Sequence, residues 1–145
     1  MSVMSDHIKQ LELPPAAALW LHDVWDAFQL LDDVADKDEI ARPVLDMGIY
    51  ILLVRLPANP FYLAHATELA TMLSSAVLCW KASDDAERAG KADERSYMWR
   101  AKYYDIMLEV VRICHGPAVA LSAAQTILST YGETYEAYHQ EFPNA

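Results

Sequence analysis

The chain is poor in most of what reactive chemistry is built on. Its two cysteines, Cys79 and Cys114, stand far apart, with neither a CxxC pair nor a zinc-like spacing, so they read as reduced, buried thiols. The four glycines, Gly48, Gly90, Gly116 and Gly132, are isolated, which excludes the glycine-rich loops that wrap phosphates and dinucleotides. No serine or cysteine sits in a nucleophile-elbow setting. Cys114 and His115 are adjacent and face different ways on a helix, which is poor geometry for a thiolate pair. Basic charge is scarce as well: 11 Lys and Arg stand against 21 Asp and Glu, a net charge of −10. That balance opposes phosphate backbones, so direct nucleic-acid binding is not expected. Long apolar runs are missing. The richest stretch, Leu69 to Trp80, contains Ser74 and Ser75 and falls short of the roughly 20 residues that span a bilayer. Met1 to Gln10 hold no apolar run, so no secretory signal, no membrane contact and a cytoplasmic location are expected.

What is present is hydrophobic bulk. Apolar residues make up 54% of 145 positions, above the usual range of roughly 45–50%, and Trp20, Trp25, Trp80 and Trp99 call for a core. The length suits one domain over residues 1–145, with residues 1–14 as an irregular N-terminal arm. Periodicity predicts helices throughout. Pro15, in a first helical turn, opens a helix over about 16–36. Trp20, Val24, Ala27, Leu31 and Val34 share one face of it, with Phe28 at the edge, and His22, Asp26, Gln29, Asp33 and Asp36 share the other. A second helix is expected over about 39–56, shortened by Pro43 and weakened by Gly48. The β-rich run from Ile49 to Val54 also admits a strand, but no partner strand is visible.

Pro57-Ala58-Asn59-Pro60 is the clearest punctuation, with Asn59 as cap and Pro60 as first residue of a third helix running to about Glu87. Gly90 ends that region, and Asp93 is a candidate cap for a fourth helix over about 94–114. This fourth helix carries two apolar stripes, Tyr97-Ala101-Tyr104-Leu108-Val111 and Trp99-Tyr103-Ile106-Val110-Ile113, as a central helix packed on both sides would. Gly116-Pro117 starts the fifth, in which Ala120, Ala124, Ile127, Tyr131, Tyr135, Tyr138 and Phe142 recur at spacings of three and four. The expected fold is all-α, a single-domain bundle of four to five helices.

Three acidic patterns suggest metal chemistry. Asp32, Asp33 and Asp36 spell DDxxD, which in helical prenyl-transferring enzymes holds magnesium and a diphosphate, the first and last carboxylates lying one turn apart. Those enzymes need a larger bundle and a second acidic motif. Glu136 and His139 form the Glu-x-x-His element of di-iron bundles, yet the chain offers only the reversed His65-Ala66-Thr67-Glu68, with Asp105 and Glu109, to complete it. Glu133 and Glu136 match half of the magnesium pattern of helical nucleotide pyrophosphohydrolases, and the other half is missing. The DDxxD and Glu-x-x-His patterns read first as solvated helix faces, and the alternating ladder Lys102, Asp105, Glu109, Arg112 reads as one with no catalytic role.

The run Leu56-Pro57-Ala58-Asn59-Pro60-Phe61-Tyr62 with His65, then Trp80-Lys81-Ala82 and Glu87, then Arg100-Ala101-Lys102-Tyr103-Tyr104-Asp105, resembles uncharacterised all-helical proteins of bacteriophages and prophages. The resemblance covers the chain from Leu56 onward and implies a phage or bacterial setting. It transfers no activity and no site residue.

Three functions remain. The first is a non-enzymatic accessory or protein-binding protein without cofactor, associating with itself or a protein partner through the aromatic line Tyr131, Tyr135, Tyr138 and Phe142. The second is a divalent-metal-dependent hydrolase of phosphate esters or diphosphates, using Asp32, Asp33, Asp36 or Glu133, Glu136, His139. The third, ranked last, is an acidic mimic of DNA.

Overall fold

In the computed structural model, which describes residues 2–143, every regular element is helical and no strand occurs among the described residues. The all-α expectation stands, but there are more helices than four to five. The chain divides into two compact units, Met1–Ala66 and Thr67–Ala145.

The first unit begins with α1 (Val3–Gln10), so most of the stretch expected as an irregular N-terminal arm is helical. Ser2 caps α1 by accepting a hydrogen bond from the Ser5 amide at 3.1 Å, and Met4 and Ile8, one turn apart, are buried. A helix this short is held by that packed face rather than by propensity. Helix α2 (Pro15–Ala35) starts on Pro15, as its sequence requires, and buries Ala17, Trp20, Leu21, Asp23 and Val24. Its C-terminal half is less covered: Ala27, Phe28 and Leu31 are half-buried, and Val34 is exposed.

The predicted second helix exists but changes gauge along its length. Helix α3 (Arg42–Tyr50) passes into a π-helical turn, Ile51–Arg55, and then into the short α4 (Leu56–Ala58). Pro57 supplies the physical reason. It has no N–H to donate, and its ring crowds the carbonyl four residues back, a conflict that widening the helix upstream relieves. The Leu56 amide accordingly donates to the Ile51 carbonyl, five residues back. The β-rich composition of Ile49 to Val54 therefore ends as a distorted helix, not a strand. Gly48 is buried where α3 crosses α2, and a Cβ there would overlap a Leu30 methyl.

Helix α5 (Pro60–Ala64) closes the unit. The Asn59 Oδ1 accepts from the amides of Phe61 (2.8 Å) and Tyr62 (3.1 Å), as the sequence predicts. Its Nδ2 also donates to the Ala16 carbonyl at 3.0 Å, fastening the start of α5 to the start of α2.

The second unit takes in most of α6 (Ala66–Arg88), then α7 (Glu94–Trp99), α8 (Lys102–His115), α9 (Pro117–Leu128) and α10 (Tyr135–Glu141). The expected fourth helix is split at Arg100-Ala101 into α7 and α8, and α8 buries Tyr103, Tyr104, Ile106, Val110 and Val111, residues of both apolar stripes, together with Met107, which lies on neither. The expected fifth is split between Leu128 and Tyr135. The hydroxyls of Ser129 and Thr130 donate to the carbonyls of Gln125 and Ile127 (both 2.6 Å), competing with the helical ladder as α9 ends. Gly116 joins α8 to α9 at φ 92° and ψ 166°, a region open essentially to glycine alone. No described helix is long and apolar enough to cross a membrane.

Candidate functional site

Two places, one in each unit, hold charged side chains drawn wholly or largely out of water. In the first unit this is Asp23, on the buried face of α2. Arg55, on the π turn, grips it with both ends of its fork, Nε to Oδ2 at 2.8 Å and Nη2 to Oδ1 at 2.6 Å. The Asp23 side chain is 1% exposed and that of Arg55 38%, so the carboxylate is sealed and the guanidinium reaches the surface. The Asp23 bond is also the chief reason the Arg55 pKa is raised. Burial, then the Asp23 charge, pushes the neighbouring Asp26 carboxyl up. Close by in sequence, Trp20 stacks on Tyr62 (6.2 Å, 13°) and meets Phe61 edge-on, and Phe61 lies 5.1 Å from the His65 ring.

In the second unit a polar network centres on Arg100, where α7 ends. Asp93 caps α7 by accepting from the Arg95 and Ser96 amides, and Ser96 Oγ accepts in return from the Asp93 amide at 2.9 Å. That capping box fixes Ser96 within hydrogen-bond distance, 2.6 Å, of the buried Tyr138 hydroxyl. Tyr138 donates to Glu87 Oε2 at 2.9 Å, and Ser83 Oγ lies 3.0 Å from the same oxygen and from the Ser96 carbonyl. Arg100 Nη1 sits 3.4 Å from Glu87 and 3.5 Å from Glu133, without a well-directed hydrogen bond to either. Its guanidinium carbon lies 5.0 Å from the Tyr138 ring centre and 5.8 Å from that of Phe142, within reach of cation–π attraction.

Burial raises the Glu87 carboxyl above its ordinary range, against the pull of Arg100, Tyr138 and Ser83. Burial also pushes the Tyr138 phenol up to about 12, with the Ser96 bond opposing and Glu87 reinforcing. Burial and then Glu133 raise Tyr131. For Arg100, burial pulls the pKa down, and Glu133, Glu87, Tyr131 and Glu141 together more than reverse it. These groups close on one another: phenols held protonated, an arginine held charged, a carboxylate bound by three partners. The arrangement fastens α10 to α6 and α7, and it contains no activated nucleophile.

Of the residues that spell metal motifs in the sequence, Glu133 joins this network and the others fall elsewhere. Asp32, Asp33 and Asp36 lie at the C-terminal end of α2, whose last turn has no basic residue. Asp36 is exposed and forms the C-cap. Negative charge there opposes the helix dipole. Glu133 and Glu136 do not share a helix face, because α10 begins only at Tyr135 and Glu133 is drawn to Arg100 and the Tyr131 hydroxyl (3.1 Å). Glu136 and His139 are exposed on α10, with the His139 ring 6.1 Å from Tyr135. No group of three or more His, Cys, Asp or Glu placed to hold a metal ion occurs among the described residues.

The aromatic line is packed into its own unit. Tyr138 is wholly buried, Tyr131, Tyr135 and Phe142 are half-buried, and the rings of Tyr131, Tyr135 and Tyr138 all pack against Tyr97 at 5.2–5.5 Å. The charge ladder forms the pairs Lys102–Asp105 and Glu109–Arg112, with Arg112 also reaching Glu68.

What sequence reasoning missed is a surface. Within the eight residues Met47 to Val54, Met47, Ile49, Tyr50, Leu52, Leu53 and Val54 are all exposed, and only Gly48 and Ile51 are buried. The signal was available: the segment is apolar on every side, and a helix apolar all round is one that something covers. No protein-family model, curated protein or solved structure matches the chain.

Proposed function

We propose that this chain is a non-enzymatic accessory protein that works by association with itself or a protein partner, with α3, the π turn and α4 as its docking face. The observation that carries the reading is the run of six exposed large apolar side chains in eight residues. Apolar surface of that density marks interaction sites more often than bare solvent boundaries. The closed state of the Arg100 network supports the non-enzymatic side of the reading, since its titratable groups are held by one another. The resemblance from Leu56 onward favours a phage or bacterial setting for this role.

The test is a photo-crosslinking residue placed at Leu53 in the chain as made in its producing cell, with Val3, exposed on α1, as the comparison site. One dominant protein adduct from position 53 and none from position 3, reproduced with the purified partner, is the expected result. Equal, diffuse labelling from both positions, or none from position 53, would refute a dedicated docking face.

A further inference from the structure

Resting on that reading, we infer that the occupant of the α3–α4 face is a second copy of this chain, packed on it about a two-fold axis. Helix α2 covers only one stripe of the segment, through Gly48 and Ile51. Val44, Met47, Ile49, Tyr50, Leu52, Leu53 and Val54 are left 44–74% exposed, and Leu63 on α5 is 63% exposed. At such exposures these side chains leave on the order of 800 Å² uncovered around the helix, so the part that one partner copy covers approaches the roughly 800 Å² that each side brings to a standard stable interface.

Charge selects the partner. A chain at −10 repels its own copies, and that repulsion costs least where neither copy presents a carboxylate. Met47 to Val54 contains no acidic or basic residue. The charges that flank it are already paired: Arg42 with Asp46 at 2.8 Å, and Arg55 with the sealed Asp23. A partner with a basic or acidic surface would find nothing here to match, whereas an apolar, neutral face matches itself. In a two-fold arrangement the same patch serves both sides, and no unpaired charge is carried into the interface.

Sedimentation of the full chain over a wide concentration range tests this, with Leu53→Glu as the disrupting variant and Leu121→Glu, 81% exposed on α9, as the control. The expected result is a mass twice the 16.3 kDa of the chain at high concentration, reduced to the single chain in Leu53→Glu and kept in Leu121→Glu. At a dilution where the unaltered chain is itself monomeric, Leu53→Glu melts where the unaltered chain does. A monomer at every concentration overturns the inference, and a protein adduct at position 53 would then still support a docking face for a different protein. A dimer that survives Leu53→Glu, or is lost equally in Leu121→Glu, places the contact elsewhere and overturns it too. A lowered melting point for dilute Leu53→Glu means the face is covered within the chain, with the same consequence.

Discussion

Asn59 performs two separable tasks, and replacing it in steps measures each. Its Oδ1 satisfies the first free amides of α5, at Phe61 and Tyr62, and its Nδ2 reaches the Ala16 carbonyl. The residue is 4% exposed, so water cannot substitute freely for the lost partners. Removing a cap of this kind costs about 1 kcal/mol, and losing the buried bridge adds about 1 kcal/mol more. Asn59→Ala should therefore cost about 2 kcal/mol. For 145 residues the unfolding entropy is about 0.3 kcal/mol/K, which converts that loss into a fall in Tm of about 7 °C. Asn59→Ser keeps an oxygen for the cap but cannot span to Ala16, and should lose about half as much. Asn59→Asp keeps the acceptor but turns the donor into a second acceptor facing a carbonyl, so it should fall below the serine variant. Urea and thermal unfolding followed by circular dichroism read all three. An alanine variant within about 0.5 kcal/mol of the unaltered chain would refute the bridge and the cap together. A serine variant no better than alanine would refute the division between them.

Arg55→Leu strands a sealed carboxylate and should cost about 3 kcal/mol, near the low end for a broken buried pair because the arginine is partly exposed. The double variant Asp23→Leu/Arg55→Leu should recover most of that in chemical denaturation, and no recovery would mean the pair is not what matters there. Glu87 has its folded pKa raised above its unfolded value, so its carboxylate weakens the fold at neutral pH. The fold then gains stability as pH falls through the folded pKa toward the unfolded one. Glu87→Gln should accordingly match or exceed the unaltered chain in Tm at pH 7, with the gap narrowing on acidification, and a clear deficit at pH 7 contradicts the sign. Magnesium or manganese should leave the Tm unmoved, since the described residues contain no three-ligand group. A metal-dependent rise abolished by Asp36→Asn would restore the metal-binding reading.

The parts of the fold legible in sequence are those written in short, local signals. Pro15, Asn59-Pro60 and Gly116-Pro117 open helices where expected because proline and glycine act on their own backbone and need no distant partner. Helix α1 escaped because its case rests on two side chains, Met4 and Ile8, whose burial depends on what lies beneath them. The breaks at His65 and Arg100-Ala101 carry no glycine or proline, and unbroken periodicity runs through both. The π turn was written as a conflict, with β-branched residues leading into Pro57, and a choice between helix and strand has no place for a third geometry.

The candidate sites divide along the same physical line. Asp32, Asp33, Asp36, Glu133, Glu136 and His139 attracted notice because their spacing spells motifs, but spacing guarantees a common face only where the helix is continuous. At Glu133 it is not. A metal site further demands ligands from other elements, which spacing within one segment cannot supply. Asp23 and Arg55 are the reverse case: no motif joins residues 32 positions apart, yet Asp23 falls on the Trp20–Ala27 side of α2 and Arg55 ends an apolar run. A charge in that setting must find a partner or leave the core, so two such misfits of opposite sign are candidates to pair. The same reasoning reaches the run from Met47 to Val54. Arg55 stays with Asp23 at the edge of that run, which leaves the helix apolar and uncharged over two turns. An apolar surface without charge offers an acidic or basic partner nothing to pair with, and that is the ground on which a second copy of the chain is proposed as its occupant.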